Sequence, residues 1–166
     1  MADVPNAELK RTTVADTANQ CLESFQTCLT QASLVHPREL SKVEDQIARF
    51  STWAAGIGVF APGRASMDHR LRYAPEVQSV VIGLLESLNY RIRTCSDVLD
   101  LLAKSPTPYA WDEHVSNDHV QPERPFRDVA TEISRLNKTS NTIRRATKEA
   151  QILKASSFQI QDDDGN

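Results

Sequence analysis

Apolar residues recur along this chain at intervals of three and four, and four stretches keep that rhythm long enough to predict helices. The first runs from about Thr13 to Leu34. Val14, Ala18, Cys21, Leu22, Phe25, Cys28, Leu29 and Ala32 form one stripe, with Asp16, Glu23 and Gln26 off it. His36-Pro37 ends this helix, because the residue before a proline is pushed out of helical geometry. Pro37 then suits the first turn of a second helix, where its missing N–H costs nothing. The second stripe is Leu40, Val43, Ile47, Phe50, Trp53 and Ile57, and Gly56 and Gly58 are candidate caps at its end. So short a link predicts antiparallel packing of the first two helices.

A connector follows from Val59 to Pro75. Ala61-Pro62-Gly63 signals a turn, and Ser66 is placed to cap a short helix through Leu71. Val59, Phe60, Met67, Leu71 and Tyr73 are expected to pin this connector to the rest. The third helix opens on Pro75 and Glu76, both suited to a first turn. Val77, Val80, Val81, Leu84, Leu85, Leu88, Ile92, Cys95, Val98, Leu99 and Leu102 carry its stripe to about Lys104. It is expected to be the longest helix, about 43 Å at 1.5 Å per residue. Its N-terminal half is apolar on more than one side and is expected to be central. Pro106, Pro108, Pro122 and Pro125 forbid a continuous helix over residues 105–125, which read as a long loop.

The fourth helix is predicted from Phe126 to about Ser156. Phe126, Val129, Ile133, Leu136, Ile143, Ala146, Ala150 and Leu153 form its stripe, with Ser140 and Thr147 as weaker positions. Lys138, Arg144, Arg145, Lys148 and Lys154 are assigned to its outer face, interrupted by Glu132 and Glu149. The fold class expected is therefore all-α: a four-helix-bundle-like single domain over residues 13–156 with a long third helix and a short helical connector near residues 64–73. Residues 1–12 and the acidic tail 157–166 are expected to be disordered.

Composition narrows the classes. The chain has 166 residues, 40% of them hydrophobic and 25% charged, enough for one real core. A net charge of −3 is too mild to imply a nucleic-acid partner, and none is expected from this region. No window is apolar enough for a membrane span, and the N-terminus lacks the apolar segment of a secretory signal. Cys21, Cys28 and Cys95 all fall within apolar helical patterns, which points to a reducing compartment, cytoplasmic or nuclear.

Four groupings carry candidate chemistry. Cys28 and His36 have the types of a nucleophile and its base, but Cys28 sits on a buried stripe and reads as a small hydrophobe. The run WDEHVSNDH offers Asp112, Glu113, His114, Asp118 and His119 without a recognised ligand spacing, and reads as a solvated loop. Asp162, Asp163 and Asp164 resemble the start of a calcium loop whose required glutamate is absent. Arg64, His69, Arg70, Arg72, Arg91 and Arg93 form a basic group that could line an anionic-ligand site if the connector folds back on the third helix. The basic face of the fourth helix is the other candidate contact. No phosphate loop, nucleophile elbow or zinc-protease motif is present, so neither catalysis, cofactor nor metal is expected.

The segments PRELSKVEDQIARFSTWAAGIGVFAPGRASMDHRLR, VIGLLESLN and FQIQDDDGN resemble the N-terminal helical region of large fungal multidomain proteins. There it precedes two-Cys-two-His zinc-finger segments or sits in architectures related to fungal signalling ATPases. The likeness covers about Cys21 to Asn166, and a looser one is to HeLo and HeLo-like helical domains. The resemblance implies a regulatory or interaction module at the N-terminal end of a larger protein, with no catalytic residues to carry over. This chain departs from it in two ways. Residues 1–13 are polar where membrane-active HeLo members carry an apolar segment, and three cysteines without paired spacing cannot build the zinc site. The expected function is a non-enzymatic module that binds a protein partner or a second copy of itself. A membrane-surface effector using the basic fourth helix is the alternative. The residues expected to make contact are Arg64, His69, Arg70, Arg72, Lys138, Arg144, Arg145 and Lys148.

Overall fold

The computed structural model describes residues 11–104 and 123–161, with side chains through Ser156. The described residues are all-α. Four long helices, α1 (Val14–Val35), α2 (Pro37–Ile57), α4 (Pro75–Ala103) and α5 (Glu123–Gln161), are accompanied by one short helix, α3 (Met67–Arg70), and a single 3-10 turn (Gly63–Ala65).

Local chemistry sets the ends of these helices. The Thr13 hydroxyl accepts the Asp16 N–H at 3.0 Å and starts α1. His36 stands between α1 and α2 with extended backbone angles, and its Nδ1 accepts the Arg38 N–H at 3.0 Å. Pro37 takes the first position of α2, as its fixed φ favours. At the other end Gly58 adopts φ 73° and closes α2 in the left-handed region.

The helices pack as a ring of four neighbours: α1 with α2, α2 with α5, α5 with α4, and α4 with α1. The first pair is antiparallel, as the short link predicts. α1 and α4 run parallel: Cys21 Sγ–H donates to the Leu85 carbonyl at 3.3 Å, and further along the same seam Ser24 bonds Asn89. α2 and α4 therefore lie diagonally opposite. The connector between them crosses beneath the end of the bundle, and it closes that end with Val59, Met67 and Leu71, all buried.

Phe25, Phe50, Leu85, Leu88, Ile92, Ile133, Leu136 and Ile143 fill the interior. Phe25 and Phe50 pack with ring centroids 5.8 Å apart, and Phe50 meets Trp53 at 5.7 Å. The Trp53 indole N–H donates to the Leu136 carbonyl at 3.1 Å, so the largest core side chain also satisfies its one polar atom. Each fully buried Leu or Phe stabilises the fold by roughly 1.5–3 kcal/mol relative to exposure.

Several expectations are corrected. The last helix, not the third, is the longest: α5 has 39 residues against 29 in α4. Pro125 lies inside its first turn, where a proline lacks only an N–H that has no intrahelical partner. Residues 157–161, expected in a disordered tail, continue α5. Phe60 and Tyr73, expected to pin the connector, are exposed, and Val59, Met67 and Leu71 alone bury there; Val80, expected on the stripe of the third helix, is exposed because α4 packs with α1 and α5 on one side and leaves the other to solvent. The buried positions Val81, Leu85, Leu88, Ile92, Cys95 and Leu99 extend along all of α4, not only its N-terminal half. Leu153 is 69% exposed because α5 has run past the core by then. Glu132 is buried rather than on the outer face, and Thr147, a weak stripe position, is buried too.

Candidate functional site

The connector end of the bundle gathers the polar and charged groups that have no role in the core. Its backbone is fixed first. The Met67 N–H donates to the Gly58 carbonyl at 3.0 Å, which folds the connector back onto the end of α2. Ser66 caps α3, its hydroxyl accepting the His69 N–H at 3.2 Å. Arg70 Nη2 donates to the Ile57 carbonyl, one of the last-turn acceptors that α2 leaves open. Room for that guanidinium exists because residue 58 is glycine: a Cβ there would stand 3.1 Å from Arg70 Nη2 and 3.2 Å from the Ala65 carbonyl oxygen.

Asp68 faces the opposite way. Its carboxylate accepts the Val14 N–H at 2.8 Å and the Ala15 N–H at 3.1 Å, and Gln78 Nε2 donates to the same group at 3.1 Å. A negative charge at the positive end of α1 is favoured by the helix dipole. The anion of the connector is thus consumed by structure, and so is Arg70.

The remaining cations are not consumed. Arg64, on the 3-10 turn, and Arg72, after α3, are exposed, and Arg72 lies over the Tyr73 ring at 4.5 Å. His69 sits between them, half-buried. Its pKa is held below the ordinary 6.5, first by partial removal from water and then by the charges of Arg72, Arg64 and Lys154. Lys154 comes from α5. It follows Ile143 by three helical turns and Thr147 by two, so it continues the inner stripe of that helix beyond the core. Neither these three cations nor His69 has an ion-pair partner among the described residues.

The structure therefore divides the residues proposed from sequence. Arg64, His69 and Arg72 are brought together, and Arg70 beside them is a structural cap. Arg91 and Arg93 do not join them. They lie far up α4, where Arg91 pairs with Asp128 of α5 at 3.6 Å. Lys138, Arg144, Arg145 and Lys148 are exposed on α5, while Glu132 has withdrawn into the core and pairs with Arg135 at 2.9 Å. Lys154 leaves that outer group for the inner stripe. Sequence reasoning missed Lys154 as an inner-stripe residue and Asp68 as a cap. The spacing of Lys154 from Ile143 is a signal for the first; nothing local announces the second.

The cysteines and His36 sit in structural settings. Cys21 is buried and its thiol is pushed up to about 12, by burial above all. Cys95 is buried beside Cys28, and that neighbouring thiol together with burial pushes its own thiol far upward. His36 is turned to the Arg38 amide at the start of α2. Cys28 and Cys95 border a cavity of about 10 Å³ between α1, α2, α4 and α5, where the buried Gln46 Oε1 has no protein partner; it is the size of a single water. Among the described residues no three His, Cys, Asp or Glu side chains gather as metal ligands. The run from Asp112 to His119 and Asp162 to Asp164 lie outside the described residues. No described helix is long and apolar enough to cross a membrane. No protein-family profile, no curated protein and no solved structure matches this chain.

Proposed function

We propose that this chain is a non-enzymatic regulatory module that binds the acidic surface of a partner protein through the outer face of α5. The observation that carries the reading is the overrun of α5. Its residues 151–156 are all exposed, beyond the last buried position at Thr147. Arg144, Arg145 and Lys148, on the turns that lead into it, are exposed without ion-pair partners among the described residues, and Ile152 is 56% exposed one turn beyond Lys148. A cationic face around an apolar anchor complements an acidic rim around an apolar pocket. The buried thiols, none of them poised as a nucleophile, support a role without catalysis. They also favour a reducing compartment, so the cytoplasm or nucleus is the proposed location. The resemblance to the N-terminal helical region of fungal multidomain proteins points toward the same kind of role.

The test is a photo-crosslinker placed at Ile152, with the captured protein identified, purified and titrated against the wild-type chain. Binding is expected to weaken by about tenfold or more in the Arg145→Glu/Lys148→Glu variant, since charge-assisted contacts carry that much. Equal binding by the two chains overturns the proposal. So does light scattering that finds only a second copy in the crosslink. Salt-sensitive flotation of the purified chain on anionic vesicles, lost in the same variant, would replace the protein partner with a membrane surface.

A further inference from the structure

We propose that the outer face of α4 is an interface with a second copy of this chain, the two helices packing antiparallel across a two-fold axis near Tyr90. This face is separate from the outer face of α5, so loss of the dimer would leave the partner-protein reading standing.

α4 packs with α1 and α5 and turns its remaining side outward. On that side Val80, Tyr90 and Leu101 are 57%, 65% and 65% exposed, so the helix leaves large apolar side chains in water at both ends and in the middle. Alternating steps of three and four residues lead from Val80 through Gly83, Ser87, Tyr90, Thr94 and Asp97 to Leu101. That spacing keeps them on one face along the helix. None of them is buried. Arg91 stands 5.8 Å from the Tyr90 ring centre without covering it. Gly83 has nothing within 4 Å of the place a Cβ would take, so a second backbone can approach closely there.

The order of residues along this face selects the occupant. When a second α4 runs in the opposite direction, Tyr90 comes level with its own copy, Ser87 with Thr94, and Val80 with Leu101. Asp97 comes level with Gly83, where the missing side chain leaves room for a hydrated carboxylate. Two-fold symmetry repeats each contact with the roles exchanged. The charges follow the same rule. Glu86 and Arg93 lie seven residues apart on one edge of the face, both exposed, and neither has an ion-pair partner among the described residues. Antiparallel packing sets Glu86 of each copy against Arg93 of the other. At the ends Glu76 comes level with Lys104, whose ammonium holds Asp100 at 2.7 Å and keeps further N–H donors. A parallel pair would set Glu86 against Glu86 and Arg93 against Arg93, and like charges reject it. A surface complementary to itself about one tyrosine is the property of an isologous interface, and it favours a second copy over an unrelated protein.

The experiment is sedimentation velocity on the full chain at concentrations up to about 0.5 mM, where a reversible monomer–dimer equilibrium is expected. Tyr90→Glu sets two like charges near the axis and should leave only monomer over that range. Glu86→Arg and Arg93→Glu are each expected to weaken the dimer about tenfold, because symmetry turns two attractions into two repulsions. The double variant Glu86→Arg/Arg93→Glu restores opposite charges and should recover the original affinity to within about twofold. Glu44→Arg makes the same charge change on α2, diagonally opposite α4, and should leave the dimer as it was. All these side chains are exposed, so circular dichroism should report an unchanged fold. A chain that stays monomeric throughout overturns the proposal. So does a dimer that Tyr90→Glu leaves intact, or one that the single charge reversals weaken and the double variant does not restore.

Discussion

Asp68 and His69 are adjacent in sequence and have opposite fates. Asp68 completes the start of α1 through two backbone amides, a contact between residues 54 and 53 positions apart. Its replacement by alanine is expected to cost about 1–2 kcal/mol in denaturant melts, as the loss of a helix cap does. Asparagine, which keeps an acceptor but not the charge, should cost less. His69 is partly removed from water and feels the charges of Arg72, Arg64 and Lys154, so its protonation favours the unfolded chain. Its folded pKa lies below the ordinary 6.5, and the unfolded chain therefore binds more protons in the window beneath that value. Stability is expected to fall as pH drops from 6.5 toward the folded pKa, and His69→Asn should flatten that fall. Thermal melts at a series of pH values across this window check it.

Among the elements, α2 and α4 show what glycine does in different settings. Gly58 has φ 73° and a crowded Cβ position, whereas Gly83 is exposed within α4 with nothing near. Gly58→Ala is expected to destabilise by about 1–2 kcal/mol through the left-handed backbone alone, and to disturb the Arg70 contact as well. Gly83→Ala should stabilise by about 0.5–1 kcal/mol, since alanine suits a helix interior better. Thermal or urea melts of the pair should move in opposite directions. The helices themselves were legible in sequence because period and punctuation agree: His36-Pro37, Gly58, Ser66 and Pro75 stand at observed boundaries. The outer limits of α5 were not, because a proline in a first turn resembles a breaker. Its last turns, moreover, carry apolar residues such as Ile152 and Leu153 that no neighbour covers, so the pattern there does not mark where the helix ends. Exposure of Val80 and Tyr73 was hidden for another reason. A stripe tells which residues are apolar, not which neighbour is present to cover them.

At the scale of the molecule, the bundle and the overrun of α5 separate in their energetics. Phe50→Ala or Leu85→Ala removes a fully buried side chain at the centre and is expected to cost about 2–5 kcal/mol. A change below about 0.5 kcal/mol would contradict the packing described. Deleting the chain after Ala150 removes described side chains that are all exposed, and should change the unfolding free energy by no more than about 0.5 kcal/mol. The same deletion should weaken binding of the partner protein, through loss of the Ile152 anchor. The basic cluster was only partly readable beforehand, since Arg64, His69 and Arg72 are neighbours in sequence whereas the charge of Lys154 is felt at His69 only through the packing of α5.

The tie between Asp68 and the amides of Val14 and Ala15 has a bearing on how the molecule is made. During synthesis the opening helix leaves the ribosome well before the carboxylate that finishes it has been translated. Until the strap beneath the bundle is in place, the amides of Val14 and Ala15 have only water as partner, so the Thr13 cap alone holds that first turn.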